Sequence, residues 1–466
     1  MSSNHALNHR LTLVSPLPWA LAGGIAAIAI GAAAAWSPRE AVAIAIAAAL
    51  VLALAFRPAN LLPVLVASVF AEVVSLGGIT IGRLVAPVAL LVVLIVAAER
   101  RLTLRFAGPV AWATFYAAWA LASGLWTVSL SKTAFMLGSL AIALVYAFAF
   151  AVLIESEREL LRVSFIVAVA ALGIGIFAVI AFAAGVSGDL DAGRSEGGSS
   201  DPNLFATYQV MALPLALVVL SQARSRLPRF VLYGSALAVA ASVFASLSRG
   251  GILTLLFVTA LIVILPSRTL FHSKRQKAAL VLVSAVAAGA FLWTSSSQLV
   301  PRFESLRTGD TSGSGRLYVW RAALISVREH PTLGIGYGAF PDVSNELLLR
   351  TPGVDFNQYE LRPAGTVPHN LYLGTLAELG VPGLVLLSGL LLSTAVMLVR
   401  AASRARRIGA VFLSRSASGL LVSLLGVGVA SVFLSTDTSR ALWILLGMSV
   451  AVGRLVSRLP EEEAAA

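Results

Sequence analysis

Long apolar runs follow one another through this chain from Trp19 almost to its end. A run of roughly 18 apolar residues is long enough to cross a bilayer as a helix. Hydrocarbon offers no water to satisfy peptide groups, so only helices and closed barrels can span it. The runs are continuously apolar and do not alternate, which selects helices. Charged residues make up 12% of the chain, about half the share of a soluble domain. The expected fold class is all-α: a polytopic transmembrane bundle of about 12–14 helices. Run length places them near 19–35, 40–56, 60–76, 84–98, 109–126, 133–153, 160–184, 203–221, 229–247, 250–265, 278–294, 370–398, 409–434 and 440–456. The first run lacks a small-residue cleavage site and is read as a retained helix. There is no cysteine, which excludes disulfides and thiolate chemistry.

Orientation follows from the cations, because lysine and arginine accumulate in cytoplasmic loops. With the N-terminus in the cytoplasm, alternate loops carry Arg100, Arg101 and Arg105, then Arg224, Arg226 and Arg229. The next two carry Arg268, Lys274, Arg275 and Lys277, then Arg400, Arg404, Arg406 and Arg407. The opposite short loops carry single cations, Arg39, Arg83 and Lys132. This placement accounts for the net charge of +12 without a nucleic-acid partner. Lysine stands only at 132, 274 and 277. Base composition explains that bias, and so would phosphate recognition by guanidinium forks.

The expected units are N-terminal helices in 1–294 (about 11) with outer loops 185–202 and 246–251, an outer insert 295–368, C-terminal helices in 369–458, and an acidic tail 459–466. Within the insert, Leu317, Trp320, Leu324 and Val327 mark an amphipathic helix from Arg316 to Glu329. It breaks at Pro331 and the turn Gly334-Ile335-Gly336-Tyr337-Gly338. The insert therefore reads as a small helical cap over the outer face.

Several polar residues stand at the edges of apolar runs on that face. Arg249, in Ser248-Arg249-Gly250-Gly251, lies between two runs. A charge near hydrocarbon marks a site by default, although alone it reads equally as an arginine snorkelling to headgroups. Arg194 lies in a Gly/Ser-rich loop ending Ser200-Asp201-Pro202-Asn203, where Ser200 or Asp201 suits a helix cap and Pro202 a first turn. His369 and Asn370 stand where the insert re-enters the membrane, ahead of Glu378-Leu379-Gly380-Val381-Pro382-Gly383. Histidine is a proton acceptor near neutral pH; the alternative is a capping or headgroup contact. No histidine pair has the spacing of a metal site. Phosphate-cradling and dinucleotide glycine patterns are absent. No metal or cofactor is expected.

Taken in order, these pieces resemble the O-antigen ligase and polymerase superfamily of bacterial membrane glycosyltransferases. The matching elements are Gly193-Arg194 through Asn203, Ser248-Arg249-Gly250-Gly251, Gly315-Arg316-Leu317-Tyr318-Val319-Trp320 through Gly336, and His369-Asn370 with Glu378-Leu379-Gly380. The resemblance covers roughly 190–435. It implies a bacterial inner membrane protein with its active site facing the periplasm. The implied donor is a saccharide on undecaprenyl pyrophosphate. The acceptor is a hydroxyl of lipid A core, or of a second lipid-linked saccharide in the polymerases. The resemblance makes His369 the base and puts Arg194 and Arg249 on the pyrophosphate. Arg316, Ser248, Gly250, Asn370 and Asn203 are expected to bind substrate. Donor and acceptor reach the site from membrane lipid, and no divalent metal is implied.

A small-solute transporter is the reading from another class. It calls for polar groups and broken helices near mid-membrane, whereas the polar candidates here gather at one face. The sidedness is open to direct test. A reporter active only in the cytoplasm, fused at Gly315, should be silent.

Overall fold

The structure is a computed structural model. It describes residues 58–70, 75–76, 79–99, 108–184, 201–222, 226–271, 273–278, 281–282, 285, 289, 311–356 and 359–460. The expected spans 19–35 and 40–56, most of 278–294, loop residues 185–200 with Arg194, insert residues 295–310 and tail residues 461–466 lie outside the described residues.

The fold is an all-α polytopic bundle, with one two-residue antiparallel pair among the described residues (β1, Ser75–Leu76; β2, Ile79–Thr80). Its helices are α1 (Leu61–Phe70), α2 (Ile81–Glu99), α3 (Pro109–Ala122), α4 (Leu130–Leu153), α5 (Glu157–Ala183), α6 (Pro202–Leu220), α7 (Arg226–Ala245), α8 (Arg249–Ile264), α9 (Ser267–Leu270), α10 (Thr311–Glu329), α11 (Phe340–Leu349), α12 (Leu371–Arg407), α13 (Val411–Ala430) and α14 (Arg440–Ser457). Among the described residues seven are long and apolar enough to cross a membrane: α2, α4, α5, α6, α12, α13 and α14. This is a multi-pass membrane protein.

Apolar patterning sorts the helices by position. α6 is apolar all round and almost wholly buried, enclosed by α5, α7, α8 and α13, as expected of a helix with no polar face. The peripheral helices leave large apolar side chains on the outside, among them Leu94, Phe177, Ile180 and Leu392. Such a surface suits lipid and not water. Local signals set the ends. Ser156 and Glu159 form a reciprocal capping box at the start of α5, with Glu159 N donating to Ser156 Oγ at 3.3 Å and Ser156 N to Glu159 Oε2 at 3.1 Å.

Two of the cations assigned to one face do a second job: Arg404 Nη2 donates to Leu459 O (3.1 Å) and Lys277 Nζ to Leu265 O (2.7 Å), and Arg454 Nη2, in the last turn of α14, likewise donates to Ile154 O (2.8 Å). They occupy carbonyls that helix ends leave without partners. Arg400, Arg404, Arg406 and Arg407 lie within the last turns of α12 and not in a loop, because that helix runs on to Arg407. The expected span at 60–76 is also corrected: α1 is described over Leu61–Phe70, and Ser75–Leu76 at the end of that span pair with Ile79–Thr80 as a hairpin.

The largest departure from expectation is inside α12. Gly380 has φ 65° and ψ −169°, so 371–379 is a half-helix ahead of a long span, 381–407. Pro382 lacks the N–H that Glu378 O would receive. The insert supplies what the break removes. Ile335 N donates to Ala377 O (3.2 Å), Gly336 N to Glu378 O (2.9 Å), and Val381 N turns to Pro331 O (2.9 Å). Trp119 Nε1 serves Leu379 O at 2.9 Å. The turn 331–338 is therefore pressed against backbone. A Cβ on Gly380 would stand 2.2 Å from Thr332 O, besides requiring a left-handed conformation. Replacing Gly380 with alanine should cost at least about 1–3 kcal/mol and lower the melting temperature in detergent. Gly138→Ala, in open space on α4, should leave it level or raise it.

Candidate functional site at the insert end of the bundle

The starts of α6, α8 and α12 come together at the end of the bundle that carries the insert. Asp201 caps α6, its Oδ1 accepting from Asn203 N (2.6 Å) and Leu204 N (3.2 Å), with Pro202 in the first turn. Ser248 caps α8 by accepting from Gly251 N at 3.0 Å and donates to Asn203 Oδ1 at 2.7 Å. That bond joins the two helix starts directly. The glycines let the start of α8 lie close to its neighbours: a Cβ on Gly251 would be 2.5 Å from Ala206 Cβ, and one on Gly250 would be 3.0 Å from Phe433 Cβ. Arg249, half-buried, is thus held on the first turn of α8.

The third helix start belongs to α12. Asn370 caps it, Oδ1 accepting from Leu373 N at 3.0 Å. Leu371 N donates to Ser431 O at 2.8 Å, two residues before the Phe433 that touches Gly250. Trp320, on α10, donates from Nε1 to Pro368 O at 2.9 Å. Between Pro368 and Asn370, His369 adopts φ 48°. A non-glycine residue there carries roughly 1–3 kcal/mol of strain and persists only where neighbours over-determine it. The contacts on either side of His369 do so.

The imidazole is held neutral. Burial is the largest cause, the Arg316 charge adds to it, Asp201 opposes, and Arg362 adds again; together they lower its pKa to about 4. Arg316 and Arg362 therefore face His369 closely enough to act on it, and Asp201 links the site back to α6. Positive helix ends with arginines make a field for an anion, and a neutral imidazole beside that field can accept a proton.

Of the residues singled out in the sequence, the structure brings together Arg249, Ser248, Gly250 and Asn203 in one set, and His369 and Asn370 in another, with the Arg316 charge acting on His369. Asp201–Asn203 and Ser431–Phe433 connect the two sets. Arg194 lies outside the described residues. Arg362 escaped the sequence reading. It lies seven residues before His369 on an exposed stretch of the insert, in no motif. Among the described residues no three histidine, aspartate or glutamate side chains are grouped as metal ligands.

Residues 234–388 match the O-antigen ligase family model. The match takes in Ser248–Gly251, Arg316, the glycine turn, His369–Asn370 and the break at Gly380, and covers roughly a third of the chain. It supports the superfamily to which the motifs pointed, and with it an enzyme of the ligase or polymerase kind acting on lipid-linked saccharide in a membrane. No curated protein matches the chain.

Proposed function

We propose that the protein transfers an undecaprenyl-pyrophosphate-linked saccharide to a sugar hydroxyl of lipid A core at the periplasmic face of the bacterial inner membrane. The observation that carries this reading is His369, strained and neutral, in the field of Arg316 and Arg362 and facing Asp201 at the capped start of α6. In the reaction, the acceptor oxygen bonds to the anomeric carbon and the bond from that carbon to the pyrophosphate oxygen breaks. His369 takes the hydroxyl proton. Undecaprenyl pyrophosphate leaves with the bonding electrons, and Arg249 and Arg194 bind it. Fixed guanidinium groups stabilise the charge that grows on the leaving group. Arg316 sits where it can contact the same phosphates or the saccharide. Ser248, Gly250 and Asn203 hold Arg249 in place, and Asn370 does so for His369. No metal is needed in this scheme.

Helix interruptions are a mark of transporters, and α12 has one. Its freed carbonyls at 377, 378 and 379 are all taken by donors from the insert and Trp119, so the break is a docking joint and not an open ion or solute site. Gene deletion separates the remaining products. Ligase loss leaves lipid A core without chains, polymerase loss leaves one repeat, and transporter loss leaves the ladder intact.

The roles can be read in purified protein with a lipid-linked donor. His369→Ala should lower turnover by roughly 10²–10⁴ with donor binding kept. Arg249→Lys should also be damaging, because an ammonium cannot reproduce a two-toothed phosphate contact. Arg406→Ala, exposed at the far end of α12, should behave as wild type. Full activity of folded His369→Ala would remove it from the mechanism. Loss of wild-type activity on chelation would refute the metal-free scheme.

The pH profile gives an independent check. The free protein's His369 titrates near 4, so kcat/KM should hold from neutral pH downward and fall only near pH 4, as the imidazole gains its proton. A bound pyrophosphate favours the charged imidazole, so the acid limb of kcat should lie at higher pH than that of kcat/KM. A limb of kcat/KM near 6.5, the value of a solvated histidine, would contradict the buried site.

A further inference from the structure

The half-helix 371–379 has His369 just before one end and Glu378 near the other, and a single hydrogen-bonded circuit ties both ends. At the first end Leu371 N donates to Ser431 O at 2.8 Å. At the second, Glu378 Oε2 accepts from Gly338 N at 2.8 Å and Oε1 from Phe340 N at 3.3 Å. Tyr337 bridges the two. Its N–H donates to Ser123 Oγ at 3.0 Å, and its phenol donates to Asp437 Oδ2 at 2.6 Å. Asp437 is fixed in turn, its carbonyl accepting from Trp443 Nε1 at 2.6 Å. Its neighbour Thr436 shares a 2.6 Å hydrogen bond with Ser431 Oγ, and Ser431 is the residue whose carbonyl holds Leu371. The circuit closes there.

We propose that Glu378, Tyr337 and Asp437 are positioning residues for His369, a latch that sets where the half-helix lies and so where the imidazole points. This rests on the base role given to His369 above. Two observations favour positioning over bulk stability. Buried carboxylates are costly to desolvate, and apolar residues of like size would hold a fold more cheaply; what Glu378 adds is direction, through two N–H groups of one turn. The other is the strain at His369, which needs its flanking backbone held at both ends of the half-helix.

The groups facing His369 are Arg316 from α10, Asp201 from the start of α6 and Arg362 from the insert. None belongs to the latch, so latch variants leave its charged neighbours in place. Any change in its titration then reports a change in its seat.

The test uses the full-length protein in detergent or lipid discs, with Tyr337→Phe, Glu378→Ala and Glu378→Gln. Hydrogen–deuterium exchange is followed in 371–379, together with kcat, the donor KM and the pH profile. Tyr337→Phe and Glu378→Ala should speed exchange in that segment. They should lower kcat by about 10–100-fold, the loss expected for a small misplacement of a reacting group. Donor KM should move by less than about threefold, since phosphate contacts remain. The acid limb of kcat/KM should rise from near 4 toward 6.5 as water reaches the imidazole. Glu378→Gln should recover part of kcat, because its amide oxygen still accepts one N–H. Tyr337→Phe keeps the ring and its packing, and serves if Glu378→Ala does not fold. Unchanged exchange in folded variants overturns the latch. So does faster exchange with wild-type kcat and acid limb. Wild-type turnover in His369→Ala, run alongside, would instead remove the base reading on which the latch rests, while exchange still shows whether the circuit holds the half-helix.

Discussion

A helix broken next to hydrocarbon leaves peptide groups that water cannot reach, and each such group costs several kcal/mol unless another donor or acceptor takes it. The break at Gly380 meets this demand with groups from the insert, and much of the structure depends on that exchange. Ile335 and Gly336 donate to the freed carbonyls, and Pro331 accepts from Val381. The insert therefore cannot lift from the bundle without uncovering the core of α12. It behaves as part of the bundle's wall, locked further by Trp126 Nε1 on Leu333 O at 3.0 Å and Val128 N on Ile335 O at 3.0 Å. Ion pairing of the insert with α4, such as Lys132 with Asp342, is half-exposed and contributes little beside these bonds.

The same joint decides where the candidate site lies. A continuous helix from 371 to 407 would run about 55 Å at 1.5 Å per residue, well beyond the ~30 Å of hydrocarbon. Breaking it at Gly380 leaves 381–407 to span and frees 371–379 to follow the insert. The start of that half-helix then meets the starts of α6 and α8, whose dipoles add to the charges of Arg249, Arg316 and Arg362. An anion drawn to this corner finds His369 already neutral, chiefly through burial, with Arg316 and Arg362 adding to it. Under the proposed reaction, the field that would bind a pyrophosphate also disfavours the imidazolium, and a bound phosphate would raise the basicity of His369.

The membrane bundle was legible because its signal is long and redundant: α4, α5, α6 and α14 begin and end within three residues of their apolar runs. The caps at Asp201–Pro202 and Ser248 were legible because a cap is a local event with few suitable residue types. The break in α12 was written in Gly380-Val381-Pro382, yet run length read straight through it, since a kink costs no hydrophobicity. Helix α11 was missed for the opposite reason. It is only ten residues long, Phe340–Leu349, with a proline at its second position that reads as a loop until Pro341 is seen in a first helical turn. Arg362 and the Tyr337–Asp437 bond were out of reach of any local pattern, the latter pair being 100 residues apart.

What the motifs share explains why they were weak singly and informative as a set. Each is the end of an element: Asp201–Asn203, Ser248–Gly251, the Gly334–Gly338 turn, and His369–Asn370. Ends of membrane helices are where polar residues and glycines are tolerated for ordinary reasons of capping and topology, so one such end says little about chemistry. The structure adds that two of these ends bond to each other, Ser248 to Asn203, that Leu371, two residues after His369, bonds to Ser431 at the end of α13, and that Asp201 faces a histidine in a conformation it would not adopt by itself. Capping alone requires none of those cross-contacts. A bundle that only needed to cross the membrane could finish each helix in water, separately, and leave His369 relaxed.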